Sequence, residues 1–209
     1  MLQPLLHNVL VNKKIILASN SPRRKEILKN IGLTFDIIPS KFDESSLDPL
    51  KYEDPKDYVL DIAKHKADVV YSELNKLSNQ PDVVISADSL VVLNNKIFGK
   101  PKDKNEAVEY LNFLSGNAHT VHTAVVIKTA KKSINFVEST IVHMASLTPE
   151  VIRAYVDTLD PLDKAGAYGI QGLGGSLIEK IEGDFYNVMG FPLHRFCIHF
   201  TKLMGEYFF

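Results

Sequence analysis

The sequence predicts an α/β fold built on an elongated mixed β-sheet with flanking helices. Apolar runs typical of strands interleave with helical segments along the chain, and hairpins occur among them, so one sheet is expected to hold parallel and antiparallel pairs. The chain has 209 residues, of which 45% are hydrophobic. That length fits one large domain or two small lobes that share a core.

Capping residues and turns mark the elements of the first half. The apolar run 13–19 is typical of a buried strand. Ser21 is a suitable N-cap for the helix that follows, Pro22 takes its first position, and Gly32 ends it. The next elements expected are a strand at 34–39, a polar loop at 40–53, a helix from 54 to about 74, a strand at 81–88 that ends at an acidic residue, and a hairpin over 90–99 that turns at Asn94 and Asn95.

The second half continues with long strands and a glycine-rich segment. A helix over 103–114 is stopped by Ser115 and Gly116. Thr148 starts a further helix. The remaining elements expected are two long strands at about 120–129 and 134–145, a glycine-rich loop with a strand over 167–192, and a last helix over about 192–204.

Composition excludes several classes of protein. The net charge of −1 gives no global attraction to nucleic acid or to an anionic membrane, so any anion site must be local. Cys197 is the single cysteine, which excludes a disulfide within the chain and suits a reducing compartment. Residues 1–13 are interpreted as a short ordered arm rather than a signal peptide. We therefore expect a cytoplasmic protein with no nucleic-acid or membrane partner.

The stretch "LASNSPRRKEIL" (17–28) combines a strand, a polar turn and a helix start. Unpaired backbone N–H groups at a helix N-terminus attract anions, and Ser19 and Ser21 add hydroxyl groups there. Arg23 and Arg24 add forked donors that suit phosphate. Arg24 also lies on the inward-facing line of the helix and therefore needs a partner. The pattern fits a phosphate site or, alternatively, a solvated helix start with snorkelling arginines.

Two further segments carry charges at positions that favour burial. Lys66 projects from the apolar stripe of the second helix. Its ammonium is expected to bind a ligand phosphate, to pair with a buried Glu or Asp, or to reach solvent at its end. Asp88 interrupts the buried run "VVISADSLVV", where it can serve as a general base, bind Mg²⁺ or simply cap a turn. Lys100 follows the hairpin in "GKP".

Acidic residues in the polar loop leave the question of a metal open. Asp43 and Glu44 are adjacent, and such a pair either contributes to a metal site or is merely solvated. The seven histidines show no HExxH or other zinc-ligand spacing. Taken together, the arginines, lysines, serines and lone strand carboxylate match a site for a polyphosphate with a metal.

The chain resembles the Maf family of nucleotide pyrophosphatases. The resemblance extends from about Lys14 to Cys197, so we expect an arm at 1–13 and a single Maf-like domain over 14–209. Seven motifs occur in the family's order, namely "LASNSPRRKEIL", "IAKHKA", "ISADS", "GKP", "LSGNAHTVHTAV", "DKAGAYGIQGLGG" and "GDFYNVMGFPL".

The resemblance implies a fold, a reaction and a cofactor. The fold would be Maf/ITPase-like, with two lobes around a central cleft, and the protein would be a homodimer. The reaction would be hydrolysis of a nucleoside triphosphate between its α- and β-phosphates, which gives the monophosphate and pyrophosphate. The cofactor would be a divalent metal cation, Mg²⁺ or Mn²⁺. A house-cleaning role in the nucleotide pool would follow from this reaction.

Roles for individual residues follow from the same resemblance. Asp88 would activate water. Glu44 aligns with an acidic position that contributes to metal binding, and Asp88 would be a second candidate metal ligand. Gln171 lies where family members recognise the base, and Thr123 and Tyr168 either line the cleft or are core residues. The substrate-binding residues implied are Ser19, Ser21, Arg23, Arg24, Lys66, Ser89, Lys100 and Gln171.

Three positions place the chain within the family. Members similar to the dTTP/UTP pyrophosphatases carry Arg after the motif Pro, Thr after the Asp, and Gln in "IQG". This chain has Arg23 and Gln171, which match, and Ser89, which keeps the hydroxyl of Thr but lacks its methyl group. dTTP and UTP are therefore the expected substrates, and CTP or modified nucleotides stay open. The alternative function is a non-catalytic nucleotide-binding regulator of growth or division. Whether Asp88 is a base, a metal ligand or both is also left open.

Overall fold

The computed structural model describes residues 9–77 and 80–205. Most of the predicted N-terminal arm, residues 1–8, lies outside the described residues. The strands are β1 (Ile15–Leu17), β2 (Asp36–Ile37), β3 (Val83–Leu93), β4 (Lys96–Phe98), β5 (Ala118–Lys128), β6 (Ser133–Met144) and β7 (Ile178–Glu182). The helices are α1 (Pro22–Asn30), α2 (Pro55–Lys76), α3 (Lys104–Leu114), α4 (Pro149–Asp157), α5 (Phe185–Val188) and α6 (Leu193–Leu203).

The strands form one mixed sheet. Their order is β2-β1-β3-β5-β6-β7, and β4 pairs with β3 outside this path. β1 is parallel to both β2 and β3, whereas β4 is antiparallel to β3 and β7 is antiparallel to β6. The predicted α/β fold with a mixed sheet and flanking helices is therefore confirmed. None of the helices in the described ranges is long and apolar enough to cross a membrane.

Local sequence signals account for several element boundaries. Ser21 caps α1, since its hydroxyl accepts a hydrogen bond from the Arg24 backbone N–H, and Gly32 follows the helix with a φ of 80°. Asn94 and Asn95 turn the β3–β4 hairpin with φ values of 51° and 61°, which asparagine tolerates better than most residues. These predicted caps and turns are confirmed.

The predicted end of the third strand at Asp88 is wrong. β3 continues through Asp88 to Leu93, and its last residues pair with β4. An isolated carboxylate would be costly inside a sheet, but the Lys66 ammonium lies 2.7 Å from Asp88 Oδ1 and compensates its charge. The strand can therefore pass through the acidic residue without a break.

The chain divides into two compact units. Among the described residues, unit 1 comprises 9–77, 80–88, 124–137 and 190–205, and unit 2 comprises 89–123 and 138–189. This division agrees with the two predicted lobes, whereas the cleft around which they were predicted to lie stays a prediction. The single Maf-like domain over 14–209 also stays a prediction.

Each unit has its own apolar interior. In unit 1, β1 is buried along its whole length, and α1 and α2 bury the apolar faces that their periodicity predicts. The rings of Phe196 and Phe200 on α6 stack with centroids 5.1 Å apart. In unit 2, one cluster of buried side chains includes Val91, Phe98 and Leu111. Packing in these apolar interiors holds in place the strands that carry candidate functional residues.

Candidate active site

The predicted site residues are distributed over both units. In unit 1, they lie after β1, in the first turn of α1, in the loop before α2, on α2 and on β3. These unit 1 residues are Ser19, Ser21, Arg23, Arg24, Glu44, Lys66 and Asp88. In unit 2, the predicted residues are Ser89, Lys100 and Gln171.

The centre of the unit 1 site is a cluster of one lysine and two carboxylates, here called the Lys66 cluster: Glu44, Lys66 and Asp88. Lys66 Nζ lies 2.6 Å from Glu44 Oε1 and 2.7 Å from Asp88 Oδ1. The side chains of Lys66 and Asp88 are each 14% exposed, whereas that of Glu44 is 52% exposed. Of the two partners that the sequence left open for Lys66, the structure thus shows the acidic one.

Strand alternation and helix periodicity bring Lys66 and Asp88 together. Ser86 Oγ donates a hydrogen bond to the Ala63 carbonyl oxygen at 2.6 Å, so α2 covers the face of β3 that carries Ser86. Side chains two residues apart on a strand share a face, and Asp88 therefore points toward α2 as well. Lys66 follows Ile62 by four residues on the buried stripe of α2, which directs its stem inward.

The loop that carries Glu44 is held along α2. The Phe42 ring stacks on His65 with centroids 4.7 Å apart, and Tyr52 Oη donates a hydrogen bond to Asp61 Oδ2 at 2.6 Å. Between these contacts, Asp43 caps a short turn by accepting a hydrogen bond from the Ser45 backbone N–H at 3.0 Å. Glu44 begins that turn and reaches Lys66, so the two adjacent acids have different partners.

Burial changes the acid–base properties of Asp88. Loss of solvent raises the pKa of the Asp88 carboxyl, and the charge of Glu44 adds to this effect. The positive charges of Lys66 and Arg24 oppose it. A carboxyl group with a raised pKa, held beside cations, has the properties that a general base requires.

Arg24 joins three segments of unit 1. Its Nε donates to the Gly190 carbonyl oxygen at 2.9 Å, and its Nη1 donates to Ser19 Oγ at 3.1 Å and to the Ala87 carbonyl oxygen at 2.8 Å. The residue is 9% exposed, and burial lowers the pKa of the guanidinium while nearby Asp88 opposes the shift. The need for a partner, predicted from the helical position, is confirmed. Arg24 thereby fixes the backbone directly before Asp88.

The other residues of the α1 start surround this arginine. Ser19 Oγ accepts hydrogen bonds from Arg24 and from the Ser21 backbone N–H, the latter at 3.2 Å. Ser21 is the cap of α1 and accepts from the Arg24 backbone N–H at 3.4 Å. Arg23 is half-buried, and its charge contributes to the lowered pKa of Arg24. The structure therefore brings Ser19, Ser21 and both arginines together.

In unit 2, the half-buried Ser89 belongs to a hydrogen-bond network with the buried residues Thr123 and Asn187. Alternation places Ser89 on the opposite face of β3 from Asp88, where its hydroxyl lies 2.9 Å from Thr123 Oγ1 on β5. Thr123 Oγ1 in turn donates to the Asn187 carbonyl oxygen at 3.1 Å. The Asn187 side chain is fully buried and donates to the Val121 carbonyl oxygen at 3.0 Å.

Lys100 and Gln171 lie on connecting segments of unit 2. Lys100 is exposed and follows β4, where the Gly99 carbonyl oxygen accepts a hydrogen bond from the Gly166 N–H at 3.0 Å. Gln171 is half-buried and precedes a run of glycines. Tyr168 is a core residue of unit 2, because it is buried and its hydroxyl lies 2.6 Å from His119 Nε2.

Comparison with known proteins decides the family. The sequence model described as Maf-like protein matches residues 14–203. The chain belongs to the Maf family. The family that the motifs predicted is therefore confirmed, and the match covers all of the predicted site residues in this Maf protein.

Named relatives agree with this assignment. A dTTP/UTP pyrophosphatase of Clostridium novyi (strain NT) is 45% identical over 196 residues, which cover 92% of this chain and 97% of the relative. That of Bacillus anthracis is 44% identical over 183 residues, 88% of this chain and 92% of the relative. A human probable bifunctional dTTP/UTP pyrophosphatase/methyltransferase protein is 44% identical over 203 residues, 93% of this chain, which spans only 32% of that relative's length.

One solved structure shows a weak similarity. The Staphylococcus aureus Ham1 protein matches with a TM-score of 0.43 and 18% sequence identity, over 79% of this chain and 80% of that protein. These values are too low to support a shared fold.

The carboxylates of the Lys66 cluster fit the divalent metal that the family resemblance implies. Within the ranges that the structure describes, no group of three or more His, Cys, Asp or Glu side chains could hold a metal ion by itself. Mg²⁺, however, is commonly bound through one or two carboxylates together with substrate phosphates. Glu44 and Asp88 approach the same ammonium and would provide such a pair in this Maf protein.

Sequence reasoning missed one buried polar residue of this Maf protein. Asn187 lies in the motif "GDFYNVMGFPL", but neither periodicity nor spacing distinguishes it from a loop asparagine. Its side chain also donates to Thr140 Oγ1 at 2.9 Å and thereby links α5 to β6. The only usable signal was its position inside a family motif.

Proposed function

We propose that this Maf protein hydrolyses dTTP and UTP between the α- and β-phosphates, releasing the nucleoside monophosphate and pyrophosphate. The observation that carries the proposal is the Lys66 cluster, in which the Asp88 carboxyl, 14% exposed and with a raised pKa, lies beside an ammonium and near the buried Arg24. Relatives about 44% identical over most of the chain bear the name dTTP/UTP pyrophosphatase. The reaction consumes one water molecule for each bond that is broken.

Cationic and hydroxyl groups of unit 1 suit the binding of phosphate. The Lys66 ammonium has three N–H donors, and Glu44 and Asp88 accept two of them, which leaves one for a phosphate oxygen. Ser19 Oγ accepts two hydrogen bonds and can donate its own proton to an anion. Arg23 adds a guanidinium in the first turn of α1, where the helix dipole also favours negative charge.

Further phosphate contacts are proposed for Ser21, Arg24 and Lys100. Ser21 and Arg24 lie at the start of α1. Because Nε and Nη1 of Arg24 already donate to protein oxygens, its positive charge is expected to contribute more to phosphate binding than its hydrogen bonds do. Lys100 is exposed on its segment and can move its ammonium to a ligand.

Asp88 is proposed to act on the attacking water. In its ionised form the carboxylate accepts a hydrogen bond from the water and takes one proton as the oxygen attacks the α-phosphorus. The bond from that phosphorus to the bridging oxygen breaks, and pyrophosphate leaves with the negative charge. Lys66, which contacts Asp88, stabilises the charge that develops on the phosphate oxygens.

A divalent metal is part of the proposal. Glu44 and Asp88 would hold Mg²⁺ or Mn²⁺ together with oxygens of the triphosphate. When bound, such an ion neutralises phosphate charge and makes the α-phosphorus more electrophilic.

Gln171 and Ser89 are proposed to contact the nucleoside. The amide of Gln171 both donates and accepts hydrogen bonds, so it can pair with a pyrimidine edge that does the same. Ser89 carries a hydroxyl where the dTTP/UTP branch has Thr, which retains the polar group. CTP and modified nucleotides belong in the same assay, because they test how strictly the base is chosen. A house-cleaning role in the nucleotide pool follows from this activity.

A non-catalytic nucleotide-binding regulator of growth or division is not favoured. A protein that only binds a triphosphate does not need the Asp88 carboxyl group beside its phosphate-binding cations, since the ionised group would repel the ligand.

We also propose that the protein functions in the cytoplasm as a homodimer. Cys197 is the single cysteine of the sequence and is buried, so the chain has no internal disulfide, which suits a reducing compartment. The dimer follows from the family resemblance, and analytical ultracentrifugation of the full chain tests it.

The substrate prediction is tested with nucleotides and Mg²⁺. Incubation with dTTP, UTP, CTP or 7-methyl-GTP should release pyrophosphate rather than orthophosphate, with the highest kcat/KM for dTTP or UTP. Separate enzymatic assays for pyrophosphate and orthophosphate, run without a contaminating pyrophosphatase, provide the measurement. Release of orthophosphate and a nucleoside diphosphate would show that a different bond is cleaved.

The raised pKa of Asp88 predicts how kcat/KM depends on pH at the acid end of the range. Because only the ionised carboxylate can accept the proton, kcat/KM should fall as the pH decreases through the pKa of Asp88, above the ordinary aspartate value of 3.8. Kinetics between about pH 4 and pH 9 locate this limb.

Glu44→Gln provides the control for this profile. The charge of Glu44 raises the pKa of Asp88, so its removal should move the acid limb to lower pH. If the acid limb does not move in Glu44→Gln, it reflects the ionisation of the substrate or of another group, and its assignment to Asp88 is wrong.

A further inference from the structure

The segment that carries Gln171 is held tightly at its first residue. The Gly169 backbone N–H donates a hydrogen bond to Tyr155 Oη at 3.3 Å. On its other side, Gly169 meets the stem of Lys164 so closely that an added Cβ would lie 2.7 Å from Lys164 Cε. Gly169 is thus fixed both by a hydrogen bond and by direct packing, two residues before Gln171.

The same tyrosine also fixes the segment beyond Gln171. A Cβ added to Gly174 would lie 2.6 Å from Tyr155 Oη and 2.3 Å from the Gly169 carbonyl oxygen. Gly174 therefore closes against both the tyrosine and the start of the segment. Gln171 lies on a short stretch of chain between two points that contact one hydroxyl group.

All three N–H donors of the Lys164 ammonium bind acceptors of the protein. Its Nζ donates to the Asp160 carbonyl oxygen at 2.6 Å, to Asp160 Oδ1 at 2.8 Å and to Asp163 Oδ1 at 2.7 Å. An ammonium has three N–H donors, so these bonds account for all of them. The side chain is only 10% exposed, and its stem is consequently held in the position that supports Gly169.

Asp160 connects the lysine with the tyrosine. Its Oδ1 accepts from Lys164, and its Oδ2 accepts a hydrogen bond from Tyr155 Oη at 2.9 Å. Tyr155 itself lies on α4 and is 5% exposed within the apolar cluster of unit 2. Asp160 therefore links Tyr155 on α4 with Lys164, the two side chains that support the Gln171 segment.

We infer that Tyr155, Asp160 and Lys164 form a clamp that holds the Gln171 segment in one conformation, and that they are positioning residues for selection of the base. The inference rests on the proposed function for the role of Gln171. Paired hydrogen bonds between an amide and a base edge require narrow limits of distance and angle. A looser segment therefore loses discrimination between bases before it loses binding of the triphosphate.

Two variants test the clamp from opposite ends. Tyr155→Phe removes the hydroxyl and keeps the ring in the apolar cluster, and Lys164→Met removes the ammonium and keeps a stem of similar length. In both, amide hydrogen exchange of residues 169–172 should become about tenfold faster or more, because their supports are lost. The matched control is Lys104→Met, which breaks the exposed ion pair of Lys104 with Asp157 (2.8 Å) and should leave this exchange unchanged.

Kinetics test whether the clamp acts through Gln171. Each clamp variant should lower the ratio of kcat/KM for dTTP to that for 7-methyl-GTP by about tenfold, with a smaller change in kcat for dTTP. In a Gln171→Ala background the same substitutions should cause no further loss of discrimination, since the side chain they position is gone.

The outcomes separate the clamp from the proposed function. Unchanged exchange at 169–172, or a loss of discrimination that adds fully to that of Gln171→Ala, would overturn the clamp while pyrophosphate release persists. If the wild-type chain releases no pyrophosphate, the proposed function fails, and the exchange measurement still decides whether the clamp exists. Thermal unfolding of each variant identifies loss of the folded state.

Discussion

Asp88→Asn should lower kcat for dTTP by about 10³-fold, which is the contribution typical of a general base. Asparagine has nearly the same shape as aspartate but cannot take the proton from water. KM should stay close to that of wild type, because the cations that bind phosphate remain and one negative charge that repels it is lost. Steady-state pyrophosphate release provides the measurement, with enough enzyme to detect slow turnover.

A second aspartate provides the matched control for this variant. Asp68 on α2 also forms an ion pair with a lysine, since its Oδ1 lies 2.5 Å from Lys128 Nζ, but the Asp68 side chain is 56% exposed. Asp68→Asn should therefore retain wild-type kcat, since exposed ion pairs contribute little. An Asp88→Asn protein that keeps more than about a tenth of wild-type kcat would show that another group accepts the proton.

Lys66→Met should lower kcat/KM for dTTP by about 10²-fold to 10³-fold. The substitution removes a donor to phosphate and leaves the carboxylates of Glu44 and Asp88 without their shared ammonium. Since the charge of Lys66 lowers the pKa of Asp88, its loss should raise that pKa further and shift the acid limb of the pH profile upward. Kinetics at several pH values measure both effects.

Lys128→Met is the control for this loss of a lysine. It removes the exposed pair with Asp68 and should leave both kcat/KM and the acid limb unchanged. If Lys66→Met lowers activity but does not move the acid limb, the lysine binds substrate without tuning Asp88, and the assignment of Asp88 to that limb is wrong.

Local signals predicted where chain elements begin and end when the cause was local. Ser21 and Pro22 at the start of α1 and the two asparagines of the β3–β4 turn act through their own backbone, so neighbours along the sequence suffice. The strand end at Asp88 was predicted by the same reasoning and was wrong. Its compensating ammonium comes from another element, 22 residues earlier in the chain.

Periodicity predicted that Arg24 and Lys66 face inward, but it could not identify their partners. Lys66 meets two carboxylates, and Arg24 meets backbone carbonyl groups, one of them at Gly190. Backbone acceptors leave no trace in the sequence, because every residue has a carbonyl group. For the same reason, the sequence offered only phosphate binding or a solvated helix start for Arg24 and did not indicate its bonds to backbone carbonyl groups.

The clamp around Gln171 was even less accessible to sequence reasoning. The sequence indicated only a glycine-rich loop in this region, whereas the structure shows that Gly169 and Gly174 allow close approach of Lys164 and Tyr155. A family motif marks these positions as special without stating which contact requires them.

The alternation of side chains along β3 has a consequence for how this stretch of chain can vary. The face of the sheet on which the Asp88 carboxylate lies is set by the number of strand residues before it. One amino acid gained or lost would turn the carboxylate away from α2 and present a neighbouring side chain to the lysine instead. A change in the length of β3 ahead of Asp88 would therefore separate its carboxylate from Lys66 even though Asp88 itself is retained.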